Sequence, residues 1–151
     1  MSERDETIPA RGDYQHWQSL TTRWVDNDWY GHVNNAVYYN LIDSVVNQYL
    51  IESGGLRPDS SPVIGLVVQS SCQYKGSFAY PEVIEAGLRV LKLGNSSVTY
   101  EVGMFATDDQ SARVWGGFVH VFVDRESQRP VPIPDEIRHA LQQIQTGSSS
   151  Q

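Results

Sequence analysis

Between Asp26 and Asn35 the chain sets two aspartates two residues apart, Asp26 and Asp28, ahead of Gly31, His32 and the pair Asn34-Asn35. Carboxylates, an imidazole and carboxamides at this density can move protons, attack an electrophilic carbon, ligate a cation or hold a polar substrate. The cation is the easiest of these to test. Asp26, Asp28 and Gly31 begin like a calcium loop, but Tyr30 stands where the fifth-position oxygen ligand belongs and Val37 where the twelfth-position glutamate belongs. No His-Glu-x-x-His or paired-cysteine spacing points to zinc, no Gly-x-Ser-x-Gly elbow points to a serine hydrolase, and Gly-rich nucleotide loops are missing. Cys72 falls in a strand pattern without an activating neighbour and reads as a small core thiol.

These polar residues precede the strongest helical pattern in the chain, which runs to about Leu50. Val37, Tyr38, Leu41, Ile42, Val45 and Val46 fall on one side of a helical wheel, with Tyr39, Asn40, Asp43 and Ser44 on the other. That apolar face takes up about half the wheel, against roughly 100° for an ordinary surface helix, so the helix needs a partner that wraps it. Asn34 or Asn35 can cap its first turn, and Gly54-Gly55 can end it.

Strand patterns occupy residues 16–24, 63–78 with a break near Gly76, 82–93, 96–107 and 112–124, and a short amphipathic helix is expected from about Pro134 to Gln145. The connections after Val63 are too short for crossover helices, so neighbouring strands must pair antiparallel. The expected architecture is α+β, a curved antiparallel sheet around a long central helix, in one domain over residues 14–145 with mobile tails at 1–13 and 146–151. Such a sheet leaves an open edge that a second copy commonly covers, so at least a dimer is expected. Gly116-Gly117 in the last strand marks a close backbone approach or a bulge.

The 151 residues carry 18 acidic and 11 basic side chains, a net charge of −7. That balance argues against nucleic acid as a partner, since phosphate neutralisation needs a basic surface. An anionic small ligand needs only a few local cations, and Arg57, Lys75, Arg89, Lys92, Arg113 and Arg125 are candidates. With no apolar run near the roughly 20 residues that span a bilayer, and no apolar core in the first residues, a soluble cytoplasmic protein without a membrane partner is expected.

The run Arg23-Trp24-Val25-Asp26-Asn27-Asp28-Trp29-Tyr30-Gly31-His32-Val33-Asn34-Asn35-Ala36-Val37-Tyr38-Tyr39 resembles the signature of hot-dog-fold acyl-CoA thioesterases of the 4-hydroxybenzoyl-CoA thioesterase type. There an aspartate pair two residues apart is followed by a glycine, then His-Val-Asn-Asn and a helix with an early tyrosine. The expected order of strands and helices is also that of the hot-dog fold. The resemblance implies an acyl-CoA substrate, or an acyl-carrier thioester, held between protomers of a homodimer or homotetramer, with no metal or redox cofactor. It implies further that Asp28 is the catalytic carboxylate and that a backbone N–H at the helix start, near Asn35, polarises the thioester carbonyl.

Physical chemistry fits those roles. A helix N-terminus offers unpaired N–H groups and partial positive charge to a developing oxyanion, and the same field favours the ionised form of a nearby aspartate. Asp28 can attack the thioester carbon or activate a water. Asp26 reads as a turn residue bonding backbone N–H groups. His32 either orients substrate or is a structural hydrogen-bonding group, and Asn34 is a substrate contact or a cap. Gln69 and Ser71, on a strand expected beside the helix, are candidate contacts in an acyl pocket. A dehydratase or hydratase on the same fold, and a non-catalytic acyl-CoA sensor, are the alternatives.

Overall fold

The computed structural model describes residues 8–146. The elements in order are β1 (His16–Thr21), α1 (Asn35–Gly54), β2 (Val63–Tyr74), β3 (Val83–Leu93), β4 (Ser97–Phe105), β5 (Val114–Asp124) and α2 (Asp135–Gln143), with 3-10 turns at Arg11–Asp13 and Trp24–Asp26. The strands form one sheet in the order β1-β3-β4-β5-β2, antiparallel at every pairing.

The two-residue period of the strands builds the inner face. Ile84, Ala86, Leu88 and Val90 of β3, Val98, Tyr100, Val102 and Met104 of β4, and Val114, Phe118 and Phe122 of β5 are buried in one cluster with α1. From the helix come Tyr38, Ile42, Val45, Val46, Tyr49 and Leu50. Gly55 ends α1 in the left-handed conformation, φ 73°, its N–H returning to the Leu50 carbonyl. The helix α2 closes the far end, its Ile137 side chain lying 3.4 Å from where a Cβ on Gly54 would be.

The first strand ends earlier than its pattern suggests, at Thr21 rather than Trp24. The Thr22 hydroxyl donates to the Glu82 carbonyl at 2.6 Å, and the Asp26 carboxylate takes the Arg23 N–H at 2.9 Å, which folds the chain into a turn. Residues 8–13, expected to belong to a mobile tail, are instead docked. The Arg11 guanidinium donates to the carbonyls of Ala106 and Thr107 and pairs with Glu85, and Ala112 N–H bonds the Pro9 carbonyl. Tyr14 then crosses the outer face of the sheet over Gly87 and Gly103, where any Cβ would meet its ring. Thr146, expected in the second mobile tail, is tied by its N–H to the Val90 carbonyl at 3.0 Å, and the rest of the expected tails, 1–7 and 147–151, lies outside the described residues.

Gly116 and Gly117 are required by close approach on two sides. A Cβ on Gly116 would lie 2.3 Å from the Ser71 carbonyl oxygen, and one on Gly117 would lie 1.8 Å from that of Tyr100. Both obstacles are backbone, so neither can swing away. Gly117→Ala should therefore cost about 2 kcal/mol or more of unfolding free energy through overpacking, measured by urea titration.

His120 is the polar exception on the inner face. It is buried among the rings of Tyr100, Phe118 and Phe122 and against the Gly65 backbone, with Nδ1 3.3 Å from the Tyr100 hydroxyl. Burial pushes its pKa down to about 4. The unfolded chain, with an ordinary histidine near 6.5, binds the proton more readily than the native state. Stability is thus complete above about pH 6.5 and is lost as pH falls towards 4, by up to about 3 kcal/mol. His120→Phe should flatten the difference between unfolding free energies at pH 7 and pH 4.5; an unchanged difference would assign the pH dependence elsewhere.

Candidate active site

The polar motif folds into a closed loop between β1 and α1. Its two arms are tied twice: Asp28 N–H donates to the His32 carbonyl at 2.8 Å, and Asn34 N–H to the Asp26 carbonyl at 2.9 Å. Gly31 turns the tip with φ 81°, a left-handed conformation that favours glycine, and its N–H returns to the Asp28 carbonyl at 3.0 Å. Asp28 Oδ1 accepts the Tyr30 N–H at 2.8 Å, fixing the carboxylate on the turn. The other carboxylate oxygen has no donor among the described residues.

The two aspartates have opposite environments. Asp26 is 3 % exposed and receives the Arg23 backbone N–H together with its guanidinium, Nη2 standing 2.7 Å from Oδ1. The hydrogen bonds from Arg23 hold its carboxyl below the usual range against the opposing effect of burial. Its oxygens are occupied by the turn, leaving it no freedom for chemistry. Asp28, half-buried, keeps an open oxygen.

At the other arm of the loop α1 begins. Asn34 is the cap: its Oδ1 accepts the Ala36 N–H at 2.9 Å and its carbonyl the Val37 N–H at 2.9 Å. Asn35 N–H, in contrast, meets no acceptor among the described residues. A free donor at the positive end of a 20-residue helix is therefore available to a ligand. The His32 side chain is exposed, and only its backbone takes part in closing the loop.

Two other segments fix this loop. Val33 N–H donates to the Phe78 carbonyl at 2.8 Å, and Phe78 N–H to the Tyr38 hydroxyl at 3.1 Å. Tyr80 N–H donates to Asn27 Oδ1 at 3.1 Å. From the end of β2 the Tyr74 hydroxyl donates to the Asn35 carbonyl at 3.2 Å, its ring beside that of Tyr38. Tyr74 and Phe78 thus hold the site without having been singled out in the sequence, and Asn27, one of its polar cluster, had no role there, because these roles rest on contacts between distant parts of the chain.

Gln69 and Ser71 lie elsewhere. They pair with Val119 and Gly117 and share with Trp115 a groove of about 210 Å³ on the outer face of the sheet, away from α1. The residues of β2 on the helix side there are Ser70, Cys72 and Tyr74, opposite Phe118, Gly116 and Val114. An irregularity between Val67 and Gln69 causes the exchange. One extra residue, Val68, turns every following side chain to the other face.

The candidate cations also separate. Arg89 is paired with Glu101 at 2.6 Å, Arg113 with Glu82 at 3.0 Å and Asp109 at 2.8 Å, and Arg125 is spent on the carbonyls of Pro58 and Ser61. The Arg57 guanidinium has no partner among the described residues. No three His, Cys, Asp or Glu side chains converge as a metal site among the described residues. No helix there is long and apolar enough to cross a membrane.

No curated protein matches the chain. Among solved structures, the PA5185 protein of Pseudomonas aeruginosa strain PAO1 is 54% identical, with TM-score 0.90, 93% of this chain covered and 98% of that one. The PA2801 protein of Pseudomonas aeruginosa, presented as a candidate thioesterase, is 29% identical with TM-score 0.78 over 85% of this chain and 98% of that one. The BH1999 gentisyl-coenzyme A thioesterase, at 19% identity and TM-score 0.73, covers 83% of this chain and 99% of its own and shares the fold. Residues 22–141, from the end of β1 to α2, match the thioesterase-like superfamily, and the chain, with its curved five-stranded sheet around one long helix, belongs to that superfamily and has the hot-dog fold.

Proposed function

We propose that the protein hydrolyses an acyl-CoA thioester, or the same thioester on an acyl carrier protein, to a carboxylate and a free thiol, with Asp28 as the catalytic carboxylate. What carries this reading is a pair of groups without a partner among the described residues, the second oxygen of Asp28 on the closed loop and the Asn35 N–H where α1 leaves it. The family membership and the coenzyme A thioester named for a protein of the same fold support the substrate class.

In the proposed reaction the thioester carbonyl oxygen points at the Asn35 N–H, where the developing negative charge meets a donor and the positive end of the helix. Asp28 either takes a proton from a water that attacks the carbonyl carbon, or attacks it directly to give a mixed anhydride that water then opens. In both routes the carbon–sulfur bond breaks and the thiolate takes up a proton. The acyl chain runs along the inner face of β2 at Ser70, Cys72 and Tyr74, while Gln69 and Ser71 on the outer face do not touch it. His32 and the Asn34 side chain border the mouth of the site.

The acyl groove is completed by a second copy. The strand β2 is a sheet edge 12 residues long, with Val67, Val68 and Tyr74 exposed at 49 %, 60 % and 44 %. Trp24, Val25, Trp29 and Tyr30 stand exposed on the loop that carries Asp28. An apolar edge of this length is a template for another strand, and pairing of β2 with its own copy about a two-fold axis covers it.

Purified protein should release thiol from at least one member of a panel of short, long and aromatic acyl-CoAs. Asp28→Asn should lower kcat on the best substrate at least about a hundredfold, the scale of a lost general base. Unchanged turnover in that variant would remove Asp28 from the mechanism, and tight binding of a thioester without thiol release would favour an acyl-CoA sensor. Light scattering on the parent should give a dimer or a larger assembly, and Val68→Lys should shift it to monomer with turnover reduced at least about tenfold. A fully active monomeric parent would rule out the paired edge.

A further inference from the structure

We propose that Arg113, just before β5, is a positioning residue for this site, acting through the segment Ser77–Glu82; the inference rests on the thioesterase reading above. Its guanidinium grips both ends of that segment. Nη1 donates to the Ser77 carbonyl at 3.0 Å and to Glu82 Oε2 at 3.0 Å. Nε donates to Asp109 Oδ2 at 2.8 Å, and the guanidinium carbon stands 4.9 Å from the centre of the Phe78 ring.

Between those ends lie two of the residues that hold the loop, Phe78 and Tyr80. The Phe78 carbonyl receives the Val33 N–H, its own N–H goes to the Tyr38 hydroxyl on the first turns of α1, and Tyr80 N–H goes to Asn27 Oδ1. One guanidinium thus fixes the two ends of a short segment whose middle residues bond both arms of the loop. Through Phe78 it reaches the helix start that carries the Asn35 N–H. Through Tyr80 it reaches the residue next to Asp28.

The segment contributes to its own shape. Glu82 Oε1 accepts the Ala79 N–H at 2.9 Å, and its carbonyl takes the Thr22 hydroxyl at 2.6 Å. The planar fork of arginine, with donors fixed in direction, meets a carbonyl, two carboxylates and a ring face at once. A lysine presents a compact charge on a flexible stem and cannot match all four. The ion pairs are partly open to solvent, 29 % for the Arg113 side chain and 39 % for Glu82, so their direct contribution to stability is small. Their consequence is geometric. A misplacement of about 1 Å from a distant substitution can cost on the order of a hundredfold in rate.

The test compares Arg113→Met and Arg113→Lys with Arg89→Met in the full chain. Arg89 is a suitable control, since it loses a similar ion pair, to Glu101, and a similar ring contact, over Tyr14, on the outer face of the sheet. On the best acyl-CoA, Arg113→Met should lower kcat about tenfold or more with KM within about twofold, whereas Arg89→Met should keep kcat within about twofold. Amide hydrogen exchange should quicken at least about tenfold at Val33 and Tyr80 in Arg113→Met and stay near parental at Val102 in the sheet. If that variant does not fold, Arg113→Lys carries the same expectations. Parental kcat with parental exchange at Val33 and Tyr80 overturns the proposal, as does an equal fall of kcat in Arg89→Met. A parent that turns over no substrate defeats the thioesterase reading alone, because exchange at Val33 and Tyr80 still decides whether Arg113 holds the loop.

Discussion

Burial of α1 against the inner face of the sheet is the constraint on which the rest of the structure depends. Six large apolar or aromatic residues of the helix, from Tyr38 to Leu50, enter one cluster with the side chains of β3, β4 and β5. At about 1.5–3 kcal/mol for each fully buried apolar side chain, that contact contributes on the order of 10 kcal/mol before entropy is counted. A helix held this way along its length has one axis and one register. Its N-terminus must then open where the sheet ends, so the free Asn35 N–H lies beside the segments that leave the sheet there, Phe78 to Tyr80 and the end of β2.

The same constraint sorts the two aspartates. Both come from one short motif, yet Asp26 faces the turn and is closed off by Arg23, while Asp28 keeps one oxygen without a donor among the described residues. Environment rather than residue type separates the closed-off carboxylate from the open one. Asp26 was legible in the sequence as a turn residue, the Asn34-Asn35 pair as holding the cap and the Gly54-Gly55 stop as a helix end, since all three depend on neighbours within a few positions. The strands β4 and β5, and β3 as far as Val90, were legible for a related reason: a regular two-residue period names its buried face without knowledge of the partner, until the irregularity between Val90 and Lys92 turns the end of β3.

Where the reading of the sequence diverged, the cause was non-local. Strict alternation from Val63 onward carries Gln69 and Ser71 to the side of α1, and the added Val68 turns them outward in favour of Ser70, Cys72 and Tyr74. Nothing in Val67-Val68-Gln69 marks a bulge, because no glycine or proline stands there. The extra residue is instead accommodated by the pairing with β5, at the step from His120 to Val119. Residues 8–13 look like tail by composition, but Arg11 finds carbonyls nearly a hundred positions away that no local pattern records.

Those long-range contacts also say when the site can exist. The loop from Asp26 to Asn34 closes on itself with two backbone bonds, which is little against the cost of about 1–2 kcal/mol for ordering each residue. The balance comes from Phe78, Tyr80 and Tyr74, which are in place only after β2 and β3 have paired into the sheet. The segments that carry Asp28 and Asn35 are therefore held by a scaffold formed elsewhere, and the loop keeps its geometry only while that scaffold does. Placing reactive groups on a short segment pinned from outside lets the loop sequence vary in its exposed residues, Trp29 and Tyr30 among them, without disturbing the two atoms on which the proposed chemistry turns.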